Sequence, residues 1–420
     1  MVINGGLFST SSVKCGSLIP ALARISFALA GLKVLDLTRV LAGPFSTMML
    51  ADMGASVYKL EQPGIGDDSR GFGPFQNGES VYYINLNRNK KGMTIDLKNP
   101  KGKAVFLEMV KNADVVIENY RPGVMEKLGL GYEDLAKTNP GIVYVAVSGF
   151  GHTGPYSNRP GYDIIAQAMS GLMSTTGWPD SGPTRSGTAI GDVLGGMSAT
   201  IGMLAAIYHK IKTGEGQKVD IALVDSTVAA LEIINMIYLS QGRLPERIGN
   251  RYESTYPYDS FVASDGDLVI GAANNKLWKL LLDQMGKSEL AEDPRFKDIK
   301  DRIENHVEVK AIVQEWVGQN TVDEVVNGLL EKGVPVAPIL NIAQVTSDPH
   351  IAEAREMFVR LDHPVAGKMR IAGSHLKLSK TKTEIKTPAP ALGQDNEKGL
   401  EELLGLTAEQ VKELLEEGAI

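Results

Sequence analysis

The chain has few of the residues from which disulfide frameworks, thiol chemistry and metal sites are built. It contains one cysteine, Cys15, in 420 residues, and its six histidines are scattered. None of the histidines shows the short spacing of a metal-binding pair. We therefore expect no disulfide framework, no cysteine nucleophile in the body of the chain and no metal site.

Charge and hydropathy argue against two classes of partner. The formal net charge is −7, and no run of lysine and arginine offers a face for nucleic acid. No uninterrupted apolar run reaches the ~20 residues that a membrane-spanning helix needs. Hydrophobic residues make up 43% and charged residues 22% of the chain, which is ordinary for a globular protein. We expect neither a nucleic-acid nor a membrane partner.

Residues 1–29 differ in composition from everything that follows. They contain Lys14, Arg24 and several hydroxyl side chains but no acid, and the first acidic residue is Asp36. This pattern fits a targeting segment, a disordered tail or a misassigned start equally well. We predict an extension outside the fold and a cytoplasmic protein, with the mitochondrial matrix as the alternative if 1–29 is a transit peptide.

Short buried strands alternate with amphipathic helices through the first half of the chain. Helices are predicted at 44–53 and 102–111, because apolar residues there share one face. This alternation is typical of an α/β fold with a mainly parallel sheet, in which ligands bind at the carboxyl ends of the strands. The predicted strands are 34–37, 57–60, 93–97, 115–119, 142–147 and 219–224.

The second half of the chain changes texture. A long apolar helix is predicted at 226–242, and a hairpin with strands at 261–263 and 268–272 around Asp265-Gly266. A last helix begins at Thr407, where Gln410 completes a capping box. The predicted division is an extension (1–29), the first part of a large domain (30–225), a linker helix (226–244), a small α+β domain (245–335) and a return to the large domain (336–420).

Asp192 stands in a glycine-rich stretch, 184–196, just before a small-residue helical run. Glycine allows tight turns and close approach of a ligand, and a carboxylate at a helix start lies among unpaired N–H groups that favour its ionised form. An ordinary N-capping aspartate explains the same pattern. From the residues alone, both a catalytic carboxylate and a helix cap remain open.

Two further patterns were weighed as ligand sites. Gly149–Gly154 matches the GxGxxG dinucleotide pattern, but Pro155 and Pro160 follow, so no long helix can open from the loop to hold a phosphate. We interpret it as a shaped loop beside the site. Several cations lie near predicted strand or helix ends, where they would suit a polyanionic ligand. They are Arg39, Lys90, Lys91, Lys98, Arg121 and Lys127.

Taken in order, seven short segments resemble class III CoA-transferases, the family of formyl-CoA and carnitine CoA-transferases and 2-methylacyl-CoA racemase. The resemblance covers about residues 30 to 420. Segments 83–91 and 271–275 are most similar to the succinate- and glutarate-type transferases of dicarboxylic acids. The seven segments are 34–44, 119–123, 149–155, 160–163, 191–192, 214–218 and 391–394.

The resemblance implies a fold and a set of site residues. The fold is α/β, with a Rossmann-like large domain built from both chain ends, a smaller α+β domain and an interlocked homodimer. Asp192 falls on the family's catalytic aspartate. Coenzyme A is implied as the thioester substrate, with no prosthetic group. The implied coenzyme A contacts are Leu41, Ala42, Ile95, Lys98, Asn119, Tyr120, Arg121, Lys127, Tyr162 and Asp163.

The implied reaction moves coenzyme A from an acyl-CoA, such as succinyl-CoA, to a dicarboxylate, such as glutarate. Asp192 would pass through a mixed anhydride and an aspartyl-CoA thioester. Arginine binds carboxylates through two parallel hydrogen bonds. We therefore predict that the second carboxylate of the dicarboxylate acceptor binds an arginine of the group Arg243, Arg247 and Arg251. Gln62 stands where formyl-CoA transferase has an arginine stacked on adenine.

Two alternatives stay open. A racemase-like isomerase of the same fold would carry histidine immediately before the acid at 163, but Tyr162 stands there and is a poor base near neutral pH. A non-catalytic coenzyme A-binding protein would have no need of Asp192.

Overall fold

The computed structural model describes residues 27–420 of the chain. The predicted extension therefore lies, as far as residue 26, outside the described residues. The strands, numbered along the chain, are β1 (Lys33–Asp36), β2 (Ser56–Glu61), β3 (Phe75–Gln76), β4 (Glu79–Ser80), β5 (Lys91–Thr94), β6 (Val115–Glu118), β7 (Val143–Ser148), β8 (Lys218–Ala222), β9 (Tyr258–Val262), β10 (Asp267–Gly271), β11 (Val336–Pro338), β12 (Phe358–His363) and β13 (Gly367–Ala372).

Helices connect and cover these strands. Single 3₁₀ turns lie at Asp68–Gly71 and Ser288–Glu292, and a π-helical turn lies at Pro349–Ala354. The α-helices are α1 (Ala42–Asp52), α2 (Val81–Asn87), α3 (Pro100–Lys111), α4 (Val124–Lys127), α5 (Tyr132–Thr138), α6 (Asp163–Met169), α7 (Leu172–Thr175), α8 (Ile190–Thr213), α9 (Leu223–Ala229), α10 (Glu232–Gln241), α11 (Asn275–Met285), α12 (Ile299–Glu304), α13 (His306–Val317), α14 (Val322–Glu331), α15 (Ile342–Ser347), α16 (Asn396–Leu404) and α17 (Ala408–Glu416).

A six-stranded sheet with the order β5-β2-β1-β6-β7-β8 forms the centre of the fold. All five strand pairs are parallel, which confirms the predicted α/β class. Counted along the chain, the sheet order is 3-2-1-4-5-6, the order of doubly wound sheets with a ligand crevice where the order reverses. The reversal falls between β1 and β6, so the loops after these two strands border that crevice.

Successive residues of the central strands pack into two different cores, because side chains alternate across a strand. Val34 faces a core that includes Leu50 of α1 and Met203 of α8. Leu35 faces a core that includes Phe106 of α3. Burying one such side chain stabilises the fold by about 1.5–3 kcal/mol. The C-terminal residue Ile420 packs in the second core as well, so the chain's end returns to the sheet.

A second, three-stranded antiparallel sheet has the order β11-β10-β9. Its hairpin, β9 and β10, is the one predicted around Asp265-Gly266, with Ala263 N donating to Gly266 O at 2.8 Å. Trp278 of α11 and Val313 of α13 are fully buried against this sheet. The third strand, β11 (Val336–Pro338), lies just after residue 335, the predicted end of the small domain.

Two predictions about helices need correction. The predicted helix 226–242 is two helices, α9 and α10, that meet at 75°. The carbonyl of Val228 at the bend accepts hydrogen bonds from Leu231 N at 3.1 Å and from the Asn235 side chain at 2.9 Å, so it keeps partners where the straight helix ends. The second correction concerns α8, which is long and apolar enough by length and composition to span a bilayer. Its inner face packs against α1 and the central sheet, as the face of a core helix does.

Candidate active site

The loops after β1 and β6 are clamped to each other at the reversal of strand order. Arg39 N donates to Asn119 Oδ1 at 2.9 Å, and Asn119 Nδ2 donates back to Arg39 O at 2.7 Å. Both hydrogen bonds use backbone groups of the first loop, so the amide side chain of Asn119 fixes its course. The crevice between the two loops is therefore a rigid feature of the sheet edge.

A cavity of about 130 Å³ opens at this crevice. Asp192 lines it together with five of the predicted coenzyme A contacts from the two loops, and Tyr162 lines it from the segment before α6. Leu223, at the start of α9, closes its floor. The five loop residues are Leu41, Ala42, Asn119, Tyr120 and Arg121.

A second cavity of about 210 Å³ lies against the first. Tyr120 lines both cavities, so its side chain is their common wall. Ile95 and Lys98, two further predicted contacts, line the second cavity together with Gln62. The two cavities follow the sheet edge from β5 to β7, and this run could hold a ligand longer than either cavity alone.

Asp192 occupies the third position of α8, within the first turn, and does not cap the helix. The helix begins without a side-chain cap on its own N-cap residue, Ala189. The carboxylate of Asp163 takes that role, because its Oδ1 accepts from Gly191 N at 2.8 Å and from Asp192 N at 3.3 Å. The expectation that the helix start holds Asp192 in its ionised form is wrong, since those N–H groups bind Asp163.

Asp163 is buried behind the cavity wall. Gln167, one turn along α6, donates to Asp163 Oδ2 at 2.7 Å, so both carboxylate oxygens have partners. Position 191 is tightly packed, because a Cβ there would lie 3.0 Å from Asp163 Oδ1. Asp163 therefore positions the start of α8, and with it Asp192.

The electrostatic surroundings of Asp192 disfavour its charged form. Burial raises the pKa of Asp192, and the negative charge of Asp163 raises it further, to about 7. Tyr82 is affected in the same way: burial and the Asp192 charge raise its pKa to about 12. A carboxylate that titrates near neutral pH in a cleft is a candidate functional group.

Glycines after Asp192 let α8 approach its neighbours. A Cβ at Gly195 would lie 2.4 Å from Leu223 Cδ2, and one at Gly196 would lie 2.6 Å from the carbonyl oxygen of Ala42. Both glycines lie inside α8, whose own hydrogen bonds use their N–H groups. Their role in the fold is close packing.

Comparison with known proteins gives this geometry a family. Residues 29–396 match the model of CoA-transferase family III. The chain belongs to that family. The resemblance read from the motifs is thereby confirmed, and with it the prediction that the protein is an acyl-CoA:carboxylate CoA-transferase.

Individual relatives agree with the family match. The transferase is 42% identical to the acetyl-CoA:oxalate CoA-transferase of Acetobacter aceti over 350 residues, which are 83% of this chain and 88% of the relative. It is 38% identical to the succinyl-CoA:glutarate CoA-transferase of Homo sapiens over 393 residues, 93% and 90% of the two chains. A CAIB/BAIF family protein of Brucella suis has a similar structure, with a TM-score of 0.78 at 35% identity, covering 90% of this chain and 99% of that one.

Two of the remaining predicted contacts, Lys127 and Asp163, line neither cavity. Lys127 is exposed on α4 and lines neither cavity, although its neighbours Val124 and Leu128 line the second. Tyr162 lines the first cavity but remains 73% exposed. The predicted contacts therefore line one crevice, apart from Lys127 and Asp163, and their role in binding coenzyme A stays a prediction.

Two of the predicted cations serve the fold instead of a ligand. Lys90 is buried and donates to Asp36 Oδ2 at 3.1 Å. Burial lowers the pKa of Lys90 to about 8, although the Asp36 charge opposes the effect. Lys91 pairs with Glu402 of α16. These side chains are already satisfied, so the expectation that they would meet phosphates is wrong.

The glycine-rich loop 149–154 is a shaped loop beside the cavity, as the prolines that follow it indicated. No helix follows it directly, since α6 begins at Asp163. A Cβ at Gly149 would lie 2.6 Å from the Cα of Gly161, so the two ends of this connection pack backbone to backbone. Gly149 and Gly161 both line the first cavity, where the close approach shapes one wall of the transferase site.

The three arginines predicted to read the acceptor do not line the Asp192 cavity within this chain. Arg243 pairs with Glu253 at 2.5 Å. Arg247 donates to the carbonyls of Ser181 and Ser174 at 3.0 and 3.3 Å.

Sequence reasoning missed the buried ion pair beneath the first loop. Lys59 Nζ lies 2.7 Å from Asp67 Oδ2, and both side chains are fully buried. One signal was available: Lys59 interrupts the apolar run of β2, and a lysine in a buried strand needs an acid partner. Arg159, which lines the first cavity, was also missed.

Proposed function

We propose that the protein transfers coenzyme A from an acyl-CoA to a free dicarboxylate, with Asp192 as nucleophile. The Asp192 carboxylate attacks the thioester carbonyl, the carbon–sulfur bond breaks, and coenzyme A leaves as thiolate. The thiolate then attacks the Asp192 acyl carbon of the mixed anhydride and releases the donor acid. The acceptor carboxylate reverses these two steps, giving the new thioester and free Asp192. Two anhydride steps thus conserve the thioester bond energy.

The observation that carries this proposal is the position of Asp192 in the cavity at the reversal of strand order. Its raised pKa fits the role, because a more basic carboxylate is a stronger nucleophile and half of it is ionised near neutral pH. Burial also keeps water from the anhydride, which water would hydrolyse.

A dicarboxylate acceptor is supported by the relatives and by charge. The acetyl-CoA:oxalate and succinyl-CoA:glutarate enzymes are both named for dicarboxylates. A second carboxylate near Asp192 and Asp163 needs a cation to offset it. We propose that a partner subunit supplies this cation from the group Arg243, Arg247 and Arg251, with Arg251 the leading candidate because the other two have partners in their own chain.

A homodimer is supported by apolar surface around α8 and α10. Ile201 and Ile211 on α8 are 70% and 72% exposed, and Leu239 on α10 is 73% exposed. Large apolar patches on a protein surface mark interaction sites. The interlocked arrangement implied by the family is part of this proposal.

Trapping tests the nucleophile directly. The protein is incubated with succinyl-CoA and hydroxylamine, and peptides are analysed by mass spectrometry for a hydroxamate. We expect the modification on Asp192 and not on Asp163. The Asp192→Ala variant should lose transfer from succinyl-CoA to glutarate while it still binds coenzyme A. A variant that keeps more than a few per cent of the activity would exclude Asp192 as nucleophile.

Asp225 offers a matched control. It occupies the third position of α9, as Asp192 does in α8, but it is exposed and lines neither cavity. Asp225→Ala should therefore keep its activity.

Running the assay in deuterium oxide distinguishes the isomerase alternative from the transferase, since a racemase exchanges the α-proton of its acyl-CoA and a transferase does not.

A further inference from the structure

Val40 has a backbone conformation that its side chain disfavours. Its φ is 68°, in the left-handed region, where a β-branched residue is a true outlier. The residue lines the Asp192 cavity, directly before Leu41 and Ala42. Such a conformation persists only where the surrounding structure enforces it, and it is found mostly at functional sites.

The carboxylate of Asp67 supplies the enforcing contact. Val40 N donates to both of its oxygens, at 3.1 Å to Oδ1 and 3.3 Å to Oδ2. Asp67 is itself held by Ser69 N at 2.9 Å and by the buried Lys59 ammonium at 2.7 Å. The acceptor therefore cannot move away from Val40 without breaking a buried ion pair.

The neighbours of Val40 are fixed by other groups. Asn119 binds the backbone N–H and carbonyl of Arg39, and Lys59 donates to the carbonyl of Thr38. Among the described residues, 27–420, the acceptor of the Val40 N–H is the Asp67 carboxylate. Asp67 does not line the cavity, so any effect on the reaction passes through Val40.

We propose that Asp67 is a positioning residue of the transfer reaction: it holds Val40 in the left-handed conformation and thereby sets Leu41 and Ala42 against the Asp192 cavity. This inference rests on the proposed function of Asp192. It adds a residue that carries no chemistry itself but determines the shape of the wall that the substrate meets.

Because Asp67 stays ionised, its proposed positioning role can be distinguished from a role in proton transfer. Burial would raise its pKa, but the Lys59 charge and the Ser69 donors outweigh burial and leave a pKa of about 2. Asp67 is then ionised at every pH at which the enzyme is assayed. A loss of activity in its variants should leave the midpoint of the pH–rate profile in place.

The experiment compares Asp67→Ala, Val40→Gly and the double variant with the unchanged protein. Glycine adopts a positive φ without strain, so Val40→Gly should partly restore what Asp67→Ala loses. We expect Asp67→Ala to lower kcat/KM about ten- to a hundredfold, the size of effect that a small misplacement of a site causes. The double variant should be several-fold more active than Asp67→Ala. Peptides containing Val40 should exchange amide hydrogen faster in Asp67→Ala.

Asp52 provides the control for loss of a buried ion pair. It pairs with Arg88 at 2.7 Å, equally buried, at the far end of α1. Asp52→Ala should lower stability without lowering kcat/KM of the folded protein. The proposal fails if Asp67→Ala loses no more activity than Asp52→Ala, or if the effects of Asp67→Ala and Val40→Gly simply multiply.

The proposal can also be tested if Asp67→Ala does not fold or if the unchanged protein proves to be inactive. If Asp67→Ala does not fold, Asp67→Asn keeps one acceptor oxygen, and adding Val40→Gly must then raise its kcat/KM. If the unchanged protein transfers no coenzyme A, the proposed function is wrong. The hydrogen-exchange comparison would still decide whether Asp67 holds Val40.

Discussion

The raised pKa of Asp192, the proposed nucleophile, predicts that this residue lowers the stability of the folded protein. The pKa rises from 3.8 to about 7 on folding, through burial and the charge of Asp163. A pKa raised by folding means that the folded state prefers the protonated acid, so ionisation destabilises it. Three units correspond to about 4 kcal/mol as an upper bound. Because Asp192 is partly exposed, we expect about 1–3 kcal/mol.

The Asp192→Asn variant should therefore be inactive yet more stable than the parent. The gain should be complete above pH 7 and should shrink as the pH falls from 7 toward the unfolded-state pKa of 3.8, because the parent's Asp192 becomes protonated in the folded state over that range. Thermal unfolding at equal protein concentration, from pH 5 to pH 8.5, measures it. Asp225→Asn, at the equivalent position of α9 but exposed, should show no such gain. A gain of the same size at all pH values would refute the electrostatic cause.

The same shift predicts the pH dependence of the reaction. The nucleophile must be ionised, so kcat/KM for the acyl-CoA should rise with pH around a midpoint near 7. Asp163→Asn keeps an oxygen for Gly191 N but removes the charge, so the midpoint should move to lower pH. A midpoint that stays in place in this variant would show that Asp163 does not contribute to the pKa of Asp192.

Two predictions concern the assembly and the acceptor. Sedimentation should show the mass of two chains down to nanomolar concentration, because exposed apolar residues such as Ile201 and Leu239 need covering; a monomer would contradict the dimer. Arg251→Gln should raise the KM for glutarate and lower kcat/KM about ten- to a hundredfold while the KM for succinyl-CoA stays unchanged, the loss expected for one charge-assisted contact. Arg243→Gln, whose partner is Glu253, is the control. If only Arg159→Gln raises the KM for glutarate, the acceptor is read within one subunit.

The sheet could be predicted from sequence because its strands are short and most of them, such as β1, β6 and β7, are buried on both faces. Each of the six predicted strands overlaps a strand of the central sheet, and strand ends differ by a few residues at most. Parallel strands buried on both faces read as continuous apolar runs, and the runs here are bounded by turns. The hairpin at Asp265-Gly266 and the capping box at Thr407 depend on residues that are close together in sequence. Both were predicted, and the structure contains both.

What the sequence could not show depends on contacts between distant residues. The N–H groups at the start of α8 bind Asp163, which lies 29 residues before Asp192. The bend between α9 and α10 has no glycine or proline to indicate it, and the Asn235 side chain donates to the Val228 carbonyl across the bend. Lys90 looked like a surface cation, yet Asp36 holds it in the core from 54 residues away. In each case a side chain remote in sequence decides what the local pattern leaves open.

The cap supplied by Asp163 also bears on the proposed chemistry. Had Asp192 itself capped α8, the helix N–H groups would have stabilised its charge and lowered its pKa. A weakly basic carboxylate attacks a thioester slowly and is a good leaving group from an anhydride. By placing Asp163 on those N–H groups, the fold orders the start of α8 and leaves Asp192 without that stabilisation. The negative charge of Asp163 that satisfies the helix N–H groups then raises the pKa of Asp192, the proposed nucleophile. One buried carboxylate thus both positions Asp192 and makes it more basic.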